Sequence, residues 1–83
     1  MAEKKLLQLT ISRVDGPVFD GEVIAVSVPG AEGDMQILAN HSALISPLKK
    51  GKVTINKADG KNESHIIDSG TLEISNNHAT VLI

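Results

Sequence analysis

Apolar residues recur at every second position through most of the chain, and that period restricts the fold more than any other feature. Leu7, Leu9 and Ile11 alternate with Gln8, Thr10 and Ser12. Successive strand side chains point to opposite faces, so the pattern predicts a strand with one wet face. Over 22–28, Ile24, Val26 and Val28 fall on one face and Val23, Ala25 and Ser27 on the other. The second face is also fairly apolar, which predicts a strand that is central or covered on both sides. Further strands are read at 51–57 (Val53 and Ile55 inward), 63–68 (with Ile66 and Ile67), 71–75 (Leu72 and Ile74 inward) and 79–83.

Turn chemistry separates these runs. Asp15-Gly16-Pro17 reads as a turn, Asp20-Gly21 offers another, and Pro29-Gly30 ends the second strand. Ala31-Glu32-Gly33-Asp34 reads as a loop or tight turn. Asp59-Gly60 is a two-residue hairpin signal, and Asn76-Asn77 suits a turn with positive φ. One window stays open. From Asp34 to Ser46, Met35, Leu38, Ser42 and Ile45 have helical spacing, while Met35, Ile37 and Ala39 alternate as a strand does. Pro47 is expected to stop either one. Several short strands at roughly 8–12-residue spacing predict an all-β fold, an antiparallel sandwich or barrel.

Composition removes whole classes of function. The chain has 83 residues, enough for one small domain over 1–83. Its apolar residues are nine Ile, eight Leu, seven Val, seven Ala, two Met and the single aromatic Phe19. Base or sugar stacking therefore has almost nothing to be built from. Cysteine is absent, which excludes disulfides and thiolate metal sites. A net charge of −2 leaves no basic footprint for nucleic acid. No apolar run approaches the roughly 18–20 residues of a membrane helix. The start Met1-Ala2-Glu3-Lys4-Lys5 lacks the apolar stretch of a secretory signal, so the expected compartment is the cytoplasm. A core this small predicts modest stability alone and support from a partner surface.

Residue chemistry argues against catalysis within the chain. His41, His65 and His78 stand 24 and 13 residues apart, with no carboxylate at metal-ligand spacing. Ser42 beside His41 is no nucleophile–base pair if both lie on a strand, because they would face opposite ways. Asp15, Asp20, Glu22, Glu32 and Asp34 read as solvated loop or edge carboxylates. Gly16 and Gly21 are followed by Glu22, not by the Lys-Ser/Thr of a phosphate loop. Lys49-Lys50-Gly51-Lys52 reads as a small basic turn, and Asn62-Glu63-Ser64 as a chance glycosylation match. The expectation is no catalytic residue, no metal and no cofactor, which leaves a binding or structural role.

From Val28 to Leu44 the chain reads Val-Pro-Gly-Ala-Glu-Gly-Asp-Met-Gln-Ile-Leu-Ala-Asn-His-Ser-Ala-Leu, followed by Leu48-Lys49-Lys50-Gly51. This run resembles the signature of the epsilon subunit of F-type ATP synthases. The flanks agree: Val18-Phe19-Asp20-Gly21-Glu22-Val23 before it, and Ser69-Gly70-Thr71-Leu72-Glu73-Ile74 with Asn76-Asn77-His78-Ala79-Thr80-Val81-Leu82 after it. The resemblance covers nearly the whole chain in one register. It departs from the family at Gln36, where glycine is usual, and at Ala39-Asn40, which replace Pro-Gly. Asn tolerates positive φ best among non-glycine residues, so the turn is expected to survive.

The resemblance implies the family's N-terminal domain, an antiparallel two-sheet β-sandwich of about eight to ten short strands, and it implies strands in the open window. It implies a non-catalytic rotor role in the central stalk, linking the gamma subunit to the membrane c ring and coupling proton-driven rotation to ATP synthesis. The implied location is the cytoplasmic face of the bacterial inner membrane, or its organellar equivalent, with the membrane touched only through the complex. The sequence stops at Ile83, where the family's sandwich ends, so its inhibitory helical hairpin and any small-molecule ligand held there are not expected. By the same resemblance Glu32, Gly33, Asp34 and Met35 face the c ring, and Ser12, Arg13, His41, Ser42 and Ser46 face gamma. An exposed apolar patch on one sandwich face should complement gamma. The alternative reading is a generic peptide- or ligand-binding sandwich that uses an open strand edge.

Overall fold

The computed structural model describes residues 5–83; of the basic start Met1-Ala2-Glu3-Lys4-Lys5, all but Lys5 lie outside it. Eight strands follow one another: β1 (Leu7–Arg13), β2 (Gly16–Gly30), β3 (Gly33–Leu38), β4 (Leu44–Leu48), β5 (Gly51–Lys57), β6 (Asn62–Ile67), β7 (Gly70–Ser75) and β8 (His78–Leu82). The window left open between helix and strand forms β3 and β4. Ile37 is buried and Met35 packs on the core, as alternation requires.

Hydrogen bonding links all eight strands into one folded sheet. One layer runs from the first half of β2 through β1, β8 and β7 to β4. The other runs β3, second half of β2, β5, β6. β2 belongs to both layers and touches β4 again at Gly30, opposite Leu48. Every pairing is antiparallel except β1 with β8, which is parallel, so the expected antiparallel sandwich holds with one exception. β1 can pair in parallel with β8 because the two are the first and last strands, and the chain between them serves as the long crossover that a parallel pair requires.

Corners explain where simple alternation fails. Against β5, the register moves from Val23 opposite Lys57 to Ala25 opposite Asn56, so β2 holds one extra residue there. Such a bulge bends a strand and lets it pass from one layer to the next. The buried set therefore changes phase: Val23 and Ala25 face in, then Val26 and Val28. Ile24, expected to share a face with Val26 and Val28, is only half-buried at the bend. A second irregularity, between Ile11/Ser12 and Phe19/Pro17, makes Val18 the extra residue, and both Val18 and Phe19 pack on the core.

Three turn expectations change. Asp20-Gly21 is no turn; both lie within β2, paired with Thr10 and Leu9, and the Gln8 amide and Thr10 hydroxyl donate to Asp20 Oδ1 at 2.8 and 3.3 Å. Pro47 does not stop a strand but lies inside β4, where its carbonyl accepts the Ala31 N–H at 3.0 Å. Asp59-Gly60 sits in a longer loop, 58–61, closed by Gly60 N–H to the Lys57 carbonyl (3.0 Å), with Asp59 Oδ1 accepting from Lys61 N–H (2.9 Å). The Asn-based turns hold: φ is 63° at Asn40, 50° at Asn76 and 59° at Asn77.

The core is one aliphatic cluster drawn from all eight strands, including Leu7, Leu9, Ile11, Ile37, Leu48, Ile55, Ile67, Leu72 and Val81. No polar side chain is buried among the described residues. β6 pairs only with β5, leaving an open edge. Its Glu63 and His65 stand opposite buried Ile55 and Val53, so both side chains turn inward. Inward charge discourages a foreign strand from adding to an edge. Glu63 bridges Lys57 Nζ at 2.8 Å and His65 Nε2 at 2.7 Å.

The Lys57 hydrogen bond, then that of His65, holds the Glu63 carboxyl below its ordinary value of 4.5, and the Glu63 bond raises Lys57 above 10.5. The Glu63 contribution to stability is present above its unfolded pKa and is lost as pH falls through the lowered one. The Lys57 contribution is present below 10.5 and is lost as pH rises through the raised value. Glu63→Gln is therefore expected to destabilise most between those limits and to match the parent chain in strong acid. Urea midpoints followed against pH check this; a difference that persists unchanged at low pH contradicts it.

Candidate functional site

Among the described residues no polar side chain is buried and no three metal-ligating side chains form a group, so the described polar side chains lie at or near the surface. His41 and Ser42 lie in the loop after β3, not on a strand, and the His41 ring bonds the Ser42 backbone carbonyl at 2.7 Å. The hydroxyl takes no part in that contact.

The most constrained surface feature is the tip between β2 and β3. Ala31 and Glu32 form the turn, and Gly33 and Asp34 already belong to β3. Gly33 has φ of 140°, which a side chain rarely tolerates. Gly30 is required for a different reason. A Cβ there would lie 2.5 Å from the Gly33 carbonyl oxygen and 3.0 Å from Met35 Cε, so the two backbone arms and Met35 close tightly. Glu32 and Asp34 are exposed, Met35 is half-buried, and neither acid joins an ion pair among the described residues.

The tip is braced by the β4–β5 segment. Ala31 N–H donates to the Pro47 carbonyl at 3.0 Å and Lys49 N–H to the Pro29 carbonyl at 2.8 Å. A hollow of about 380 Å³ lies on the β4 side, where Glu32, Asp34 and Met35 meet Ile45, Ser46 and Pro47. All four residues expected to face the c ring are therefore together, and Ser46, expected to face gamma, adjoins them. The other gamma-side candidates are apart. His41 and Ser42 follow the far end of β3, about 20 Å of strand away from Gly33. Ser12 and Arg13 end β1, where they line a third region with Val14, Leu82 and Ile83.

Exposed apolar side chains gather in that third region. Val14 and Leu82 line one hollow, Ile66 lines the next, and Arg13, Ser69 and Ile83 border both. Leu38 and Ile45 are exposed elsewhere. Sequence periodicity missed this clustering, because Val14, Ile66 and Leu82 belong to separate segments that only folding brings together.

The fold and the order of motifs coincide in one known group. The family described as "ATP synthase, Delta/Epsilon chain, beta-sandwich domain" matches residues 6–83. This chain belongs to that family. Among its relatives are the ATP synthase epsilon chains of Nitratiruptor sp. (42% identical over 77 residues) and Bacillus subtilis (37% over 78 residues). These alignments cover 93% and 94% of this chain but 60% and 58% of the relatives, so the chain spans about three-fifths of their length. The same fold occurs in a chain of the Euglena gracilis mitochondrial ATP synthase OSCP/F1/c-ring structure, with TM-score 0.86 and 21% identity, over 99% of this chain and 52% of that one. A chain of the Tetrahymena thermophila mitochondrial ATP synthase central stalk/c-ring gives TM-score 0.75 at 15% identity, over 98% of this chain and 65% of that one.

Proposed function

We propose that this chain is a non-catalytic sandwich unit of the rotor of an F-type ATP synthase, joining the gamma subunit to the c ring and transmitting proton-driven rotation toward ATP synthesis. One observation carries the reading: the family match runs unbroken over 6–83, and the epsilon-chain relatives align over nearly all of the chain. The physical properties support it. A close-packed interior deforms little under load, and an aliphatic core shared by two bonded layers passes torque as one body. The acidic tip at Glu32–Met35 offers two solvated carboxylates on a braced hairpin to basic or amide side chains of the ring. The region at Ser12 and Arg13, with its apolar rim, and the loop at His41 and Ser42 offer surfaces to gamma. The location that follows is peripheral, on the cytoplasmic face of a bacterial inner membrane or its organellar equivalent.

Two measurements test the proposal. The chain should be captured by purified gamma subunit; a folded chain that joins neither gamma nor an assembled complex contradicts the rotor role. Asp34→Lys, which reverses charge on the tip, should weaken association with the c ring at least tenfold, whereas Lys61→Glu in the 58–61 loop should leave it unchanged. Equal losses in reconstituted proton-coupled synthesis would remove the tip from the ring contact.

A further inference from the structure

A cluster of lysines stands beside the acidic tip. Lys49, Lys50 and Lys52 are three of only eight cationic residues in a chain that also carries ten acids. All three are exposed, and none joins an ion pair among the described residues. They border a hollow of about 290 Å³ with Ser27, Thr54 and a single carboxylate, Asp34. The segment that carries them is held firmly. Lys49 N–H bonds the Pro29 carbonyl at 2.8 Å, and a Cβ on Gly51 would come 2.7 Å from Pro29 Cβ, so only glycine lets the turn lie this close to β2.

The two sides of the β2–β3 hairpin therefore differ in sign. Glu32 lines the hollow toward β4, the lysines line the one toward β5, and Asp34 borders both. We propose that the β4–β5 lysine turn is a contact for anionic phospholipid headgroups. The choice of lipid rests on the rotor reading, which turns the neighbouring acidic tip toward a ring embedded in a membrane. Charge complementarity supplies the rest: ammonium groups beside the Ser27 and Thr54 hydroxyls suit phosphate oxygens. Without Trp or Tyr the contact is electrostatic and stays at headgroup level. Apart from these three lysines the chain carries ten Asp and Glu against five Lys and Arg, so an anionic surface orients the chain with this turn foremost.

Isotope-edited NMR of the full chain at low ionic strength tests this. Bicelles containing phosphatidylglycerol are expected to shift or broaden the amides of 49–54, while phosphatidylcholine bicelles leave them unchanged. Half-molar salt should abolish the response, because screening then acts within a few ångströms. Lys52→Gln alone should weaken bicelle affinity about fivefold, and Lys49→Gln/Lys50→Gln/Lys52→Gln should remove the response, with dispersed spectra verifying the fold. Lys61→Gln is the unaffected control. No response to phosphatidylglycerol, an equal response to phosphatidylcholine, or an equal response to inorganic phosphate at matched concentration overturns the proposal, the last by assigning the turn to free anions. Gamma capture is scored on the same samples. A chain that binds gamma but ignores anionic bicelles removes only the lipid contact. One that binds the bicelles but no rotor component removes the rotor reading.

Discussion

Leu9→Ala should cost about 2–5 kcal/mol, a large share of what holds the chain folded. Leu9 is fully buried on β1, the strand that joins the two ends of the sequence. Its register partners are Gly21 on β2 and Ala79 on β8. Neither carries atoms that can swing into the space left behind, so the cavity persists and the loss falls toward the upper part of that range. Domains hold roughly 0.05–0.15 kcal/mol per residue, so such a loss consumes much of the stability of 83 residues. Ile45→Ala is the matched control: Ile45 is 72% exposed, and its truncation should change stability by no more than about 0.5 kcal/mol. Urea titration followed by circular dichroism reads both variants, since Trp and Tyr fluorescence is lacking. A Leu9→Ala midpoint no lower than that of Ile45→Ala would mean that the interior is not packed as described.

Asn77→Ala should be the most damaging substitution of a solvent-facing turn, at about 2–4 kcal/mol. Three demands meet at this residue. Its φ of 59° is left-handed, which costs alanine about 1 kcal/mol or more. Its side-chain oxygen accepts the Asn40 N–H at 2.7 Å, and its amide nitrogen donates to the Leu6 carbonyl at 2.9 Å. One side chain thus ties the β7–β8 turn to the β3–β4 loop and to the approach to β1. Asn77→Gly separates the terms. It keeps the backbone conformation and loses only the two hydrogen bonds, so it should be less destabilising than alanine by about 1 kcal/mol. Equal urea midpoints for the two variants would show that backbone conformation contributes nothing there. Because Asn40 is held by this contact, loss of Asn77 should also weaken capture by gamma if His41 and Ser42 belong to that surface.

Strands were legible wherever one face meets the core and the other meets water. Leu7, Leu9 and Ile11, and again Leu72 and Ile74, are buried as their alternation predicts. The left-handed turns were legible too, because Asn-Asn and the Asn40 substitution carry their own conformational bias. Local signals misled where tertiary pairing outweighed them. Asp20-Gly21 has turn chemistry, yet β1 pairs across it and uses the Asp20 carboxylate as an acceptor. Pro47 has no N–H to donate, yet its carbonyl is what braces the tip. The tip acids and their neighbour Ser46 were named from a resemblance in sequence order; their shared hollow is a property of the folded chain.

By itself the sequence determined the all-β class, the inward set of most strands and the family, because a period of two and an ordered run of motifs survive without knowledge of contacts. Only the tertiary structure decided the parallel β1–β8 pair, the bulge at Ile24 and the juxtaposition of acidic tip and lysine turn. Those depend on which distant segments lie side by side. A strand's alternation says which way each side chain points, but it carries no information about the partner on either edge.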